Sequence, residues 1–542
     1  MRIIVIGAGV AGLATAGLLA RAGHQVTLLE SNDTVGGRAG SLSGAQIGAD
    51  PAFRWDTGPS WYLMPEAFDR FYELMGTSTA EQLDLVDLAP GYRVLSGGSD
   101  PVDVPVGAEQ VAELFESLEP GAGKKVRRYL AEAGDTYRLA VDRFLYTTFS
   151  SPAPFLGREV LARAGRLAKL LTDSLQSLVN NRFTDTRTRQ ILSYPAVFLS
   201  SAPATTPALY QLMSYTDLVQ GVKYPLGGFA AVVESLRRLA VDNGVEVRTS
   251  CPVARIRTDS DRANPLRRVP GLGRLTSWLP GATARTTGVV LADGTELDAD
   301  AVVSAADLHH TETAMLARGV QTYPEAHWRR INPGVGAVVV MLGVRGELPQ
   351  LAHHTLLFSD DWTPDFAAVF GGGGASSSAS SSASSSASSS VYVCRPSATD
   401  PDVAPEEHEN LFILVPCTAD PTITERDVEA IADATIDLVA ERAGIPDLAE
   451  RICARSTLGP KDFATDYNSW HGWALGLAHT LTQSAFMRGT NHSRAVSNLY
   501  YAGSTTTPGV GVPMCLISAE NVLTAIEDGT RRPGGAVNQS NR

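Results

Sequence analysis

The chain has 542 residues, 44% of them apolar, and a net charge of −13. That length can bury more than one packed unit, and the acidic excess argues against nucleic acid as a partner. The five cysteines show no C-x-x-C spacing, so we expect no metal site and no disulfide framework in a reduced, cytoplasmic protein. Because no run approaches about eighteen apolar residues, a transmembrane helix is not expected either.

Residues 1–38 predict a dinucleotide-binding unit. A short apolar strand leads into a glycine-rich turn and a helix, and a second apolar strand ends on Glu30. In this motif Gly7 makes the tight turn, Gly9 lets the backbone approach a pyrophosphate, and Gly12 allows the helix to pack closely on the strand. The pyrophosphate would bind the N-terminus of the helix, where the helix dipole favours negative charge. Glu30 would bind the hydroxyls of the adenosine ribose.

The residues around Arg38 indicate which dinucleotide binds. Glu30 would repel the additional phosphate of NADP, which leaves NAD or FAD. The run Gly36-Gly37-Arg38 resembles the signature of FAD proteins of the amine oxidase and carotenoid desaturase group, in which the arginine meets the FAD phosphates. A surface turn with a solvated charge is the alternative interpretation. No second glycine motif is followed by a helix, a strand and an acid, so a nicotinamide site is not expected.

Later segments complete the sheet of the cofactor unit. The pattern predicts a helix over residues 229–243, a strand over 245–248 continued by 252–256, a hairpin at Asp293-Gly294, and a strand, turn and helix over 499–527. The expected fold class is α/β, with a Rossmann-type FAD-binding domain interleaved with a mixed α+β substrate domain. The expected FAD-binding segments are 1–75, 222–310 and 490–528, and the substrate domain takes 76–221 and 311–489.

Two segments are expected to lie outside the packed domains. Residues 371–390 read as four glycines followed by four copies of ASSS, a composition that cannot form a packed core. Such perfect repetition indicates an artificial flexible linker in place of a natural loop. The tail from residue 529 to 542 is polar and rich in glycine, and it is expected to be disordered.

Further motifs are distributed along nearly the whole chain. They are WDTGPSWYLMP at 55–65, YPLGGFAAVVESL at 224–236, AHHTLLF at 352–358, LTQSAFMRG at 481–489 and NLYYAGSTTTPGVGVPMCLISAE at 498–520. Together with the N-terminal unit, these motifs resemble the bacterial-type phytoene desaturase family of carotenoid enzymes. The N-terminal unit is common to many FAD enzymes, whereas the last three motifs are specific to this family and its nearest relatives.

The resemblance implies that FAD is the cofactor. A turn at residues 56–59 would lie beside the isoalloxazine ring, because it offers backbone N–H donors, a glycine that permits close approach and a proline that fixes the geometry. The implied FAD contacts are Gly7, Gly9, Gly12, Glu30, Gly37, Arg38, Asp56, Thr57, Gly58, Pro59, Val253, Gly503, Ser504 and Val512. Residues 503–507 depart from the pattern of the relatives, so the details of flavin contact are open there.

The resemblance also implies FAD-dependent desaturation of a carotenoid precursor such as phytoene, in carotenoid biosynthesis. The flavin accepts a hydride, the substrate then loses a proton, and oxygen or a quinone takes the electrons from the flavin. The partner is a long hydrocarbon, so its site should be apolar and tunnel-like. The protein would supply orientation and dryness rather than many polar groups.

Candidate catalytic residues are few. Glu159 and Arg163 correspond loosely to an acid and an arginine proposed as functional in relatives, with the arginine one position out of register. His354 is a third candidate, because His353 and His354 would point to opposite faces of a strand and one of them would line the cleft. Surface charges on a helix and a structural histidine are the alternative interpretations of these residues.

An enzyme for a water-insoluble hydrocarbon must collect it from a bilayer, so we expect peripheral association with a membrane surface. Residues 158–179 predict one amphipathic helix with leucines on one face and Arg158, Arg163, Arg166 and Lys169 beside them. Packing of the same leucines against the protein core is the alternative. Residues 265–280 mix arginines with leucines and a tryptophan and form a second candidate contact.

Three other functions share parts of this pattern. A flavin amine oxidase would have the same fold and glycine motif, but it needs a site that admits an amine. A redox-neutral carotenoid isomerase is closer still, and product spectra would separate it from a desaturase. Escort proteins for lipidated GTPases use a related fold without flavin, and the intact glycine turn with Glu30 and Arg38 argues against them.

Overall fold

The computed structural model describes residues 1–147, 163–260, 282–370, 387–484 and 487–531. Its strands are β1 (Arg2–Ile6), β2 (Gln25–Leu29), β3 (Ser41–Ser43), β4 (Arg54–Asp56), β5 (Leu85–Asp87), β6 (Tyr92–Ser96), β7 (Val102–Val104), β8 (Lys223–Pro225), β9 (Glu246–Arg248), β10 (Val253–Ser260), β11 (Ala284–Leu291), β12 (Glu296–Asp298), β13 (Ala301–Ser304), β14 (Val335–Arg345), β15 (His354–Phe358), β16 (Val391–Cys394), β17 (His408–Thr418), β18 (Ile452–Leu458), β19 (Val496–Ser497) and β20 (Leu499–Tyr501). Its longer helices are α1 (Val10–Arg21), α2 (Pro65–Leu74), α3 (Ala108–Leu118), α4 (Ala122–Ala140), α5 (Ala164–Thr172), α6 (Leu175–Asn180), α7 (Thr186–Ser193), α8 (Gly228–Asp242), α9 (Trp362–Phe370), α10 (Glu425–Ala443), α11 (Pro460–Asp466) and α12 (Val512–Arg531).

A parallel sheet of five strands supports the N-terminal glycine turn, in the order β20-β13-β1-β2-β9. β1 and β13 are apolar and buried on both faces, as central parallel strands usually are. Helices α1, α8 and α12 cover one face, with Leu13, Val232 and Val522 in their common core. The other face packs through Ile4 and Val302 onto a second sheet. Because α1 follows β1 directly, its N-terminus lies at the carboxyl edge of the sheet.

The second sheet is smaller and antiparallel, with the order β10-β11-β12 and β19 beside β11. The hairpin predicted at Asp293-Gly294 joins β11 to β12. The prediction that residues 252–256 continue the strand at 245–248 is wrong. The chain turns between them at Ser250, which has a positive φ of 52°, and β10 then pairs with β11 instead of extending β9.

The third sheet has seven strands in the order β18-β14-β17-β16-β15-β6-β7. Its center is the pair β14 and β17, which match over their full lengths from Val335–Thr418 to Arg345–His408. Helix α10 covers one face with aliphatic side chains. The other face carries an aromatic-rich core shared with α3, α4 and α7, and the apolar cavity described below opens on this face.

The prediction of a single helix over residues 158–179 is wrong for residues 163–179, which the structure describes. The chain forms α5 and α6 instead, because the Asp173 backbone is extended and the Ser174 side chain caps α6 by accepting the N–H of Ser177 at 3.1 Å. Leu175 is buried, whereas Leu171 is 39% exposed, so the two leucines do not share one surface. Residues 158–162 and 265–280 lie outside the described residues.

Two expectations of disorder need correction at their edges. The predicted linker at 371–390 lies outside the described residues except for its last four, where Ser388 N–H donates to the Pro416 carbonyl and Ser389 N–H to Asp365. Helix α12 continues to Arg531, beyond the predicted start of the tail at 529, and residues 532–542 lie outside the described residues. No helix among the described residues is long and apolar enough to cross a bilayer.

Candidate functional site

The glycine turn after β1 has the geometry that close backbone packing requires. Gly7 has a φ of +93°, and a Cβ at Gly12 would lie 1.8 Å from the Gly7 carbonyl oxygen. Gly9 begins α1 without a side-chain cap, and the first turn of α1 carries no acid. The N–H groups at this helix end are therefore available to an anion, and the helix dipole favours one.

Glu30 lies beside this turn at the end of β2. Its side chain is buried, and Oε2 accepts the N–H of Ala8 at 2.6 Å. Oε1 accepts the N–H of Asn32 at 3.0 Å and the hydroxyl of Ser31 at 3.1 Å. These bonds hold the carboxylate in place at the edge of the cavity that the glycine turn also lines.

Arg38 is held by residues that are distant in sequence. Its guanidinium lies 4.2 Å from the ring center of Trp473, and it donates to the Ala474 carbonyl and to the Ser504 hydroxyl at 3.3 and 3.1 Å. Burial lowers the pKa of this arginine. Asp307 lines the same cavity, accepts the N–H of His310 at 3.0 Å, and has a pKa raised by burial. Neither Trp473 nor Asp307 was predicted from the sequence, because no local motif marks either residue.

The first cavity, of about 260 Å³, is lined by most of the predicted cofactor residues. Those that line it are Gly7, Gly9, Glu30, Gly37, Arg38, Thr57, Gly58, Pro59, Gly503, Ser504 and Val512. Gly12, Asp56 and Val253 do not line it. An uncapped helix N-terminus, an acid and a buried arginine along one cavity fit a dinucleotide with a pyrophosphate.

The three predicted residues that do not line the first cavity have other positions. Gly12 packs against Gly7, which is the structural role expected of the third glycine. The Asp56 carboxylate accepts the N–H groups of Phe229 and Ala230 at the start of α8, and burial raises its pKa to about 7. Val253 belongs to the core between the two smaller sheets.

The second cavity, of about 320 Å³, is lined mainly by apolar side chains. They include Trp61, Leu63, Leu145, Val197, Phe198, Leu212, Met213, Leu356, Phe358, Phe366, Phe370 and Met514. The two cavities share seven lining residues, which are Gly58, Pro59, Leu414, Leu475, Val510, Gly511 and Val512. The predicted flavin-side turn therefore lies between the cavity that carries the anion-compatible groups and a more apolar one.

His354 lies behind the wall of the apolar cavity and not in its lining. Its ring is fully buried, stacks on Trp61 at 4.5 Å between ring centers, and its Nδ1 lies 2.8 Å from the Tyr392 hydroxyl. The expectation that His353 and His354 point to opposite faces is wrong: their ring centers are 4.6 Å apart, because β15 begins only at His354. Tyr392, which was not predicted from the sequence, lines the apolar cavity.

Three groups of the kind that bind metals meet at this point. The ligand atoms of His353, His354 and Cys394 lie within 4.8 Å of one another, and all three side chains are buried. The absence of C-x-x-C spacing could not exclude this group, because Cys394 is brought beside His354 by cross-strand pairing. Burial raises the pKa of the Cys394 thiol to about 12 and lowers that of His353 to about 3.

The structure gives no support for a catalytic role of the other two candidates, Glu159 and Arg163. Glu159 lies outside the described residues. Arg163 is exposed at the start of α5 and lines neither cavity. The five cysteines are free, with Cys394 and Cys417 buried and Cys453 exposed.

Comparison with known proteins identifies the family. The model of the flavin containing amine oxidoreductases matches residues 10–526. The chain belongs to that family. As predicted, the protein is therefore an FAD-dependent oxidoreductase with the α/β fold expected of one.

The predicted resemblance to carotenoid desaturases is confirmed over nearly the whole chain. A carotenoid 3,4-desaturase of Haloarcula japonica is 37% identical over 97% of this chain and 98% of its own length. A zeta-carotene-forming phytoene desaturase of Myxococcus xanthus is 30% identical over 96% of this chain and 93% of its own.

Solved structures with the same fold are much more distant in sequence. An oxidoreductase of Methanosarcina mazei superposes with a TM-score of 0.59 and 16% identity, covering 97% of this chain and 100% of its own. Putrescine oxidase bound to putrescine gives a TM-score of 0.58, 16% identity, and coverage of 97% and 99%. At these identities the structures show the fold alone.

Proposed function

We propose that this protein is an FAD-dependent desaturase of a long carotenoid-type hydrocarbon. The observation that carries the proposal is the meeting of the apolar cavity with the cofactor cavity at Gly58, Pro59 and Val512. A polyene in the apolar cavity would reach the turn expected at the isoalloxazine ring. The carotenoid desaturases among the relatives support the same substrate class.

We assign the cofactor contacts from the first cavity. The N–H groups at the start of α1 would hold the pyrophosphate, Arg38 would contact the phosphates, and Glu30 would accept the ribose hydroxyls. Thr57, Gly58 and Pro59 would lie beside the ring. When bound, FAD supplies the acceptor for the hydride that leaves the substrate.

The chain's own residues supply orientation and exclusion of water. Phe198, Phe358, Phe366 and Phe370 give the apolar cavity flat walls against which an extended polyene can pack. This apolar lining would orient one C–H bond of the substrate toward the cofactor and exclude water from the carbocation left on the substrate. Phytoene is the proposed substrate, and oxygen or a quinone the proposed final acceptor.

The cavity also argues against an amine substrate. Among the described residues, Asp365 is the only acid that lines it. Its oxygens already accept the hydroxyls of Ser359 and Ser390 and the N–H of Ser389. An ammonium group would have to give up hydration without a carboxylate free to pair with it. Amine oxidation is therefore the weaker reading of this site.

We also propose that the protein takes its substrate from a membrane surface. The proposal rests on exposed apolar side chains beside basic ones. Leu171 and Lys169 are exposed on α5, and two further apolar side chains, Leu481 and Met487, are 50% and 63% exposed. Amphipathic surfaces of this kind bind at the boundary between headgroups and acyl chains.

The test uses FAD-loaded protein and anionic liposomes that contain phytoene, with products separated and read by absorbance. The proposal predicts longer conjugated chromophores, since each desaturation extends the polyene. An isomerase would change geometry without lengthening the chromophore. Peroxide formed from amines, with phytoene unchanged, would contradict the proposal and favour an amine oxidase.

A further inference from the structure

A buried group of potential metal ligands lies behind the wall of the apolar cavity. His354 opens β15 and pairs across the sheet with Cys394 of β16, and His353 directly precedes His354. One ligand atom from each of the three side chains lies within 4.8 Å of the other two. The three residues are buried, and none of them lines either cavity. The group is therefore distinct from the proposed cofactor and substrate sites.

Each imidazole of the group has one ring nitrogen engaged and one free. Nδ1 of His353 lies 2.8 Å from the Thr399 hydroxyl, and Nδ1 of His354 lies 2.8 Å from the Tyr392 hydroxyl. Nε2 of both rings has no hydrogen-bond partner among the described residues. A metal-ligating histidine characteristically binds the metal through one nitrogen and a polar group through the other. A buried polar atom without a partner is costly, so two such atoms in one group indicate a ligand.

The carboxylates around this group are bonded elsewhere. Asp400 accepts the backbone N–H of Gly227 at 2.6 Å and the hydroxyl of Tyr224 at 3.3 Å, and the Tyr224 ring packs on His353. Asp56 accepts the N–H groups at the start of α8. No carboxylate of the described residues joins the two imidazoles and the thiol as a ligand. The ligand set is therefore two nitrogens and one sulfur.

We propose that His353, His354 and Cys394 bind one copper(I) ion. The inference does not depend on the proposed function, because the ion would lie outside the cofactor and substrate cavities. Thiolate and imidazole ligands favour copper and zinc over magnesium, calcium or manganese. Structural zinc almost always has four ligands, whereas a trigonal set of two histidines and one cysteine is typical of copper.

The charge of the buried group favours copper(I) over the divalent ions. A ligating imidazole is neutral and a ligating cysteine is a thiolate, so binding releases the thiol proton to solvent. One Cu⁺ replaces one H⁺, and the ion with its three ligands has no net charge. Zinc or copper(II) would leave one positive charge in a group that water does not solvate, which is costly. No electron is transferred when the ion binds.

The ion would hold together one wall of the apolar cavity. Leu356 and Phe358 of β15 and Val391 of β16 line that cavity, and the ion would link these two strands at one end of their paired region. The ring of His354 stacks on Trp61, which also lines the cavity, at 4.5 Å between ring centers. Coordination that fixes His354 would therefore also fix Trp61. The role of the ion is structural, so copper-loaded protein should melt at a higher temperature than copper-free protein.

The test measures the metal content of FAD-loaded protein from cells grown with added copper, because a buried site has to fill as the chain folds. The protein is dialysed against a copper(I) chelator, which removes copper from exposed thiols. The wild type should then retain one copper per chain. X-ray absorption at the copper edge should show three ligands, one of them sulfur. Protein from copper-depleted cells should melt at a lower temperature.

Two variants and a matched control assign the ion to this group. Cys394→Ser and His353→Gln should each lose the copper and keep FAD, because neither residue lines the cofactor cavity. Cys417→Ser is the control, since Cys417 is a free, buried cysteine on the neighbouring strand β17 and lies outside the group. It should retain one copper per chain. If Cys394→Ser does not fold, His353→Gln carries the comparison with the control.

Loss of copper from the two variants, with retention in Cys417→Ser, supports the proposal. No copper in the wild type, or the same copper content in Cys394→Ser and His353→Gln as in the wild type, would overturn it. One zinc per chain in place of copper would overturn the choice of ion. Desaturation is not among these measurements, so failure of the proposed function and failure of this inference are separate results.

Discussion

Replacement of Arg38 by methionine should weaken FAD binding without weakening the protein that lacks FAD. Arg38 is buried against Trp473 and donates to the Ala474 carbonyl and the Ser504 hydroxyl, and no ion pair holds it among the described residues. In the absence of FAD, burial of this cation is costly, which its lowered pKa reflects. Methionine fills a similar volume and removes the charge.

The expected loss follows from the contact that Arg38 would make with a phosphate. A hydrogen bond to a charged group is worth about 1.5–3 kcal/mol, and each 1.4 kcal/mol changes affinity about tenfold. The dissociation constant for FAD should therefore rise about 10- to 150-fold, measured by titration calorimetry. The melting temperature without FAD should stay the same or rise.

The control for this experiment is Arg54→Met, an exposed arginine on β4 that does not line the cofactor cavity. It should bind FAD like the wild type. A lower melting temperature of Arg38→Met without FAD, together with unchanged affinity for FAD, would refute the assigned role. Arg38 would then be a structural residue.

Three further predictions test other parts of the account. Gly12→Ala places a Cβ 1.8 Å from the Gly7 carbonyl oxygen, so it should lower the free energy of unfolding by about 1–3 kcal/mol and reduce the FAD content of the protein. Gly319→Ala, which has open space around the new Cβ, should change neither quantity. Leu171→Asp should reduce flotation with anionic liposomes and leave the melting temperature unchanged; equal flotation would remove α5 from the membrane contact. Burial raises the pKa of Asp217 to about 7, above its value in the unfolded chain, so stability should fall by about 1.4 kcal/mol per pH unit as pH rises from about 4 to 7. Asp217→Asn should remove this pH-dependent loss of stability. The melting temperature of the variant relative to that of the wild type should therefore be higher at pH 8 than at pH 5. The same relative melting temperature at both pH values would mean that the Asp217 carboxyl group is not buried.

The parts of the site that the sequence predicts well are continuous in the chain. The glycine turn, Glu30 and Arg38 come from one β-α-β unit, in which spacing alone places each residue at the same edge of the sheet. The family resemblance added Thr57 and Val512 from more distant segments.

The parts that the sequence does not predict depend on contacts between distant strands. Trp473 reaches Arg38 from a loop, and Cys394 reaches His354 through cross-strand pairing. Asp56 was expected beside the flavin, but its carboxylate caps the start of α8 instead. The helix break at Ser174 depends on a short capping interaction that periodic leucines do not reveal.

The most direct test of the central claim is an anaerobic single turnover with phytoene in liposomes. If the apolar cavity brings the hydrocarbon against FAD, the visible absorbance of the oxidised flavin should bleach as the polyene chromophore lengthens, in equal amounts and at the same rate. A longer chromophore formed while the flavin stays oxidised would contradict the account. Bleaching by an amine, with no reaction of phytoene, would contradict it as well.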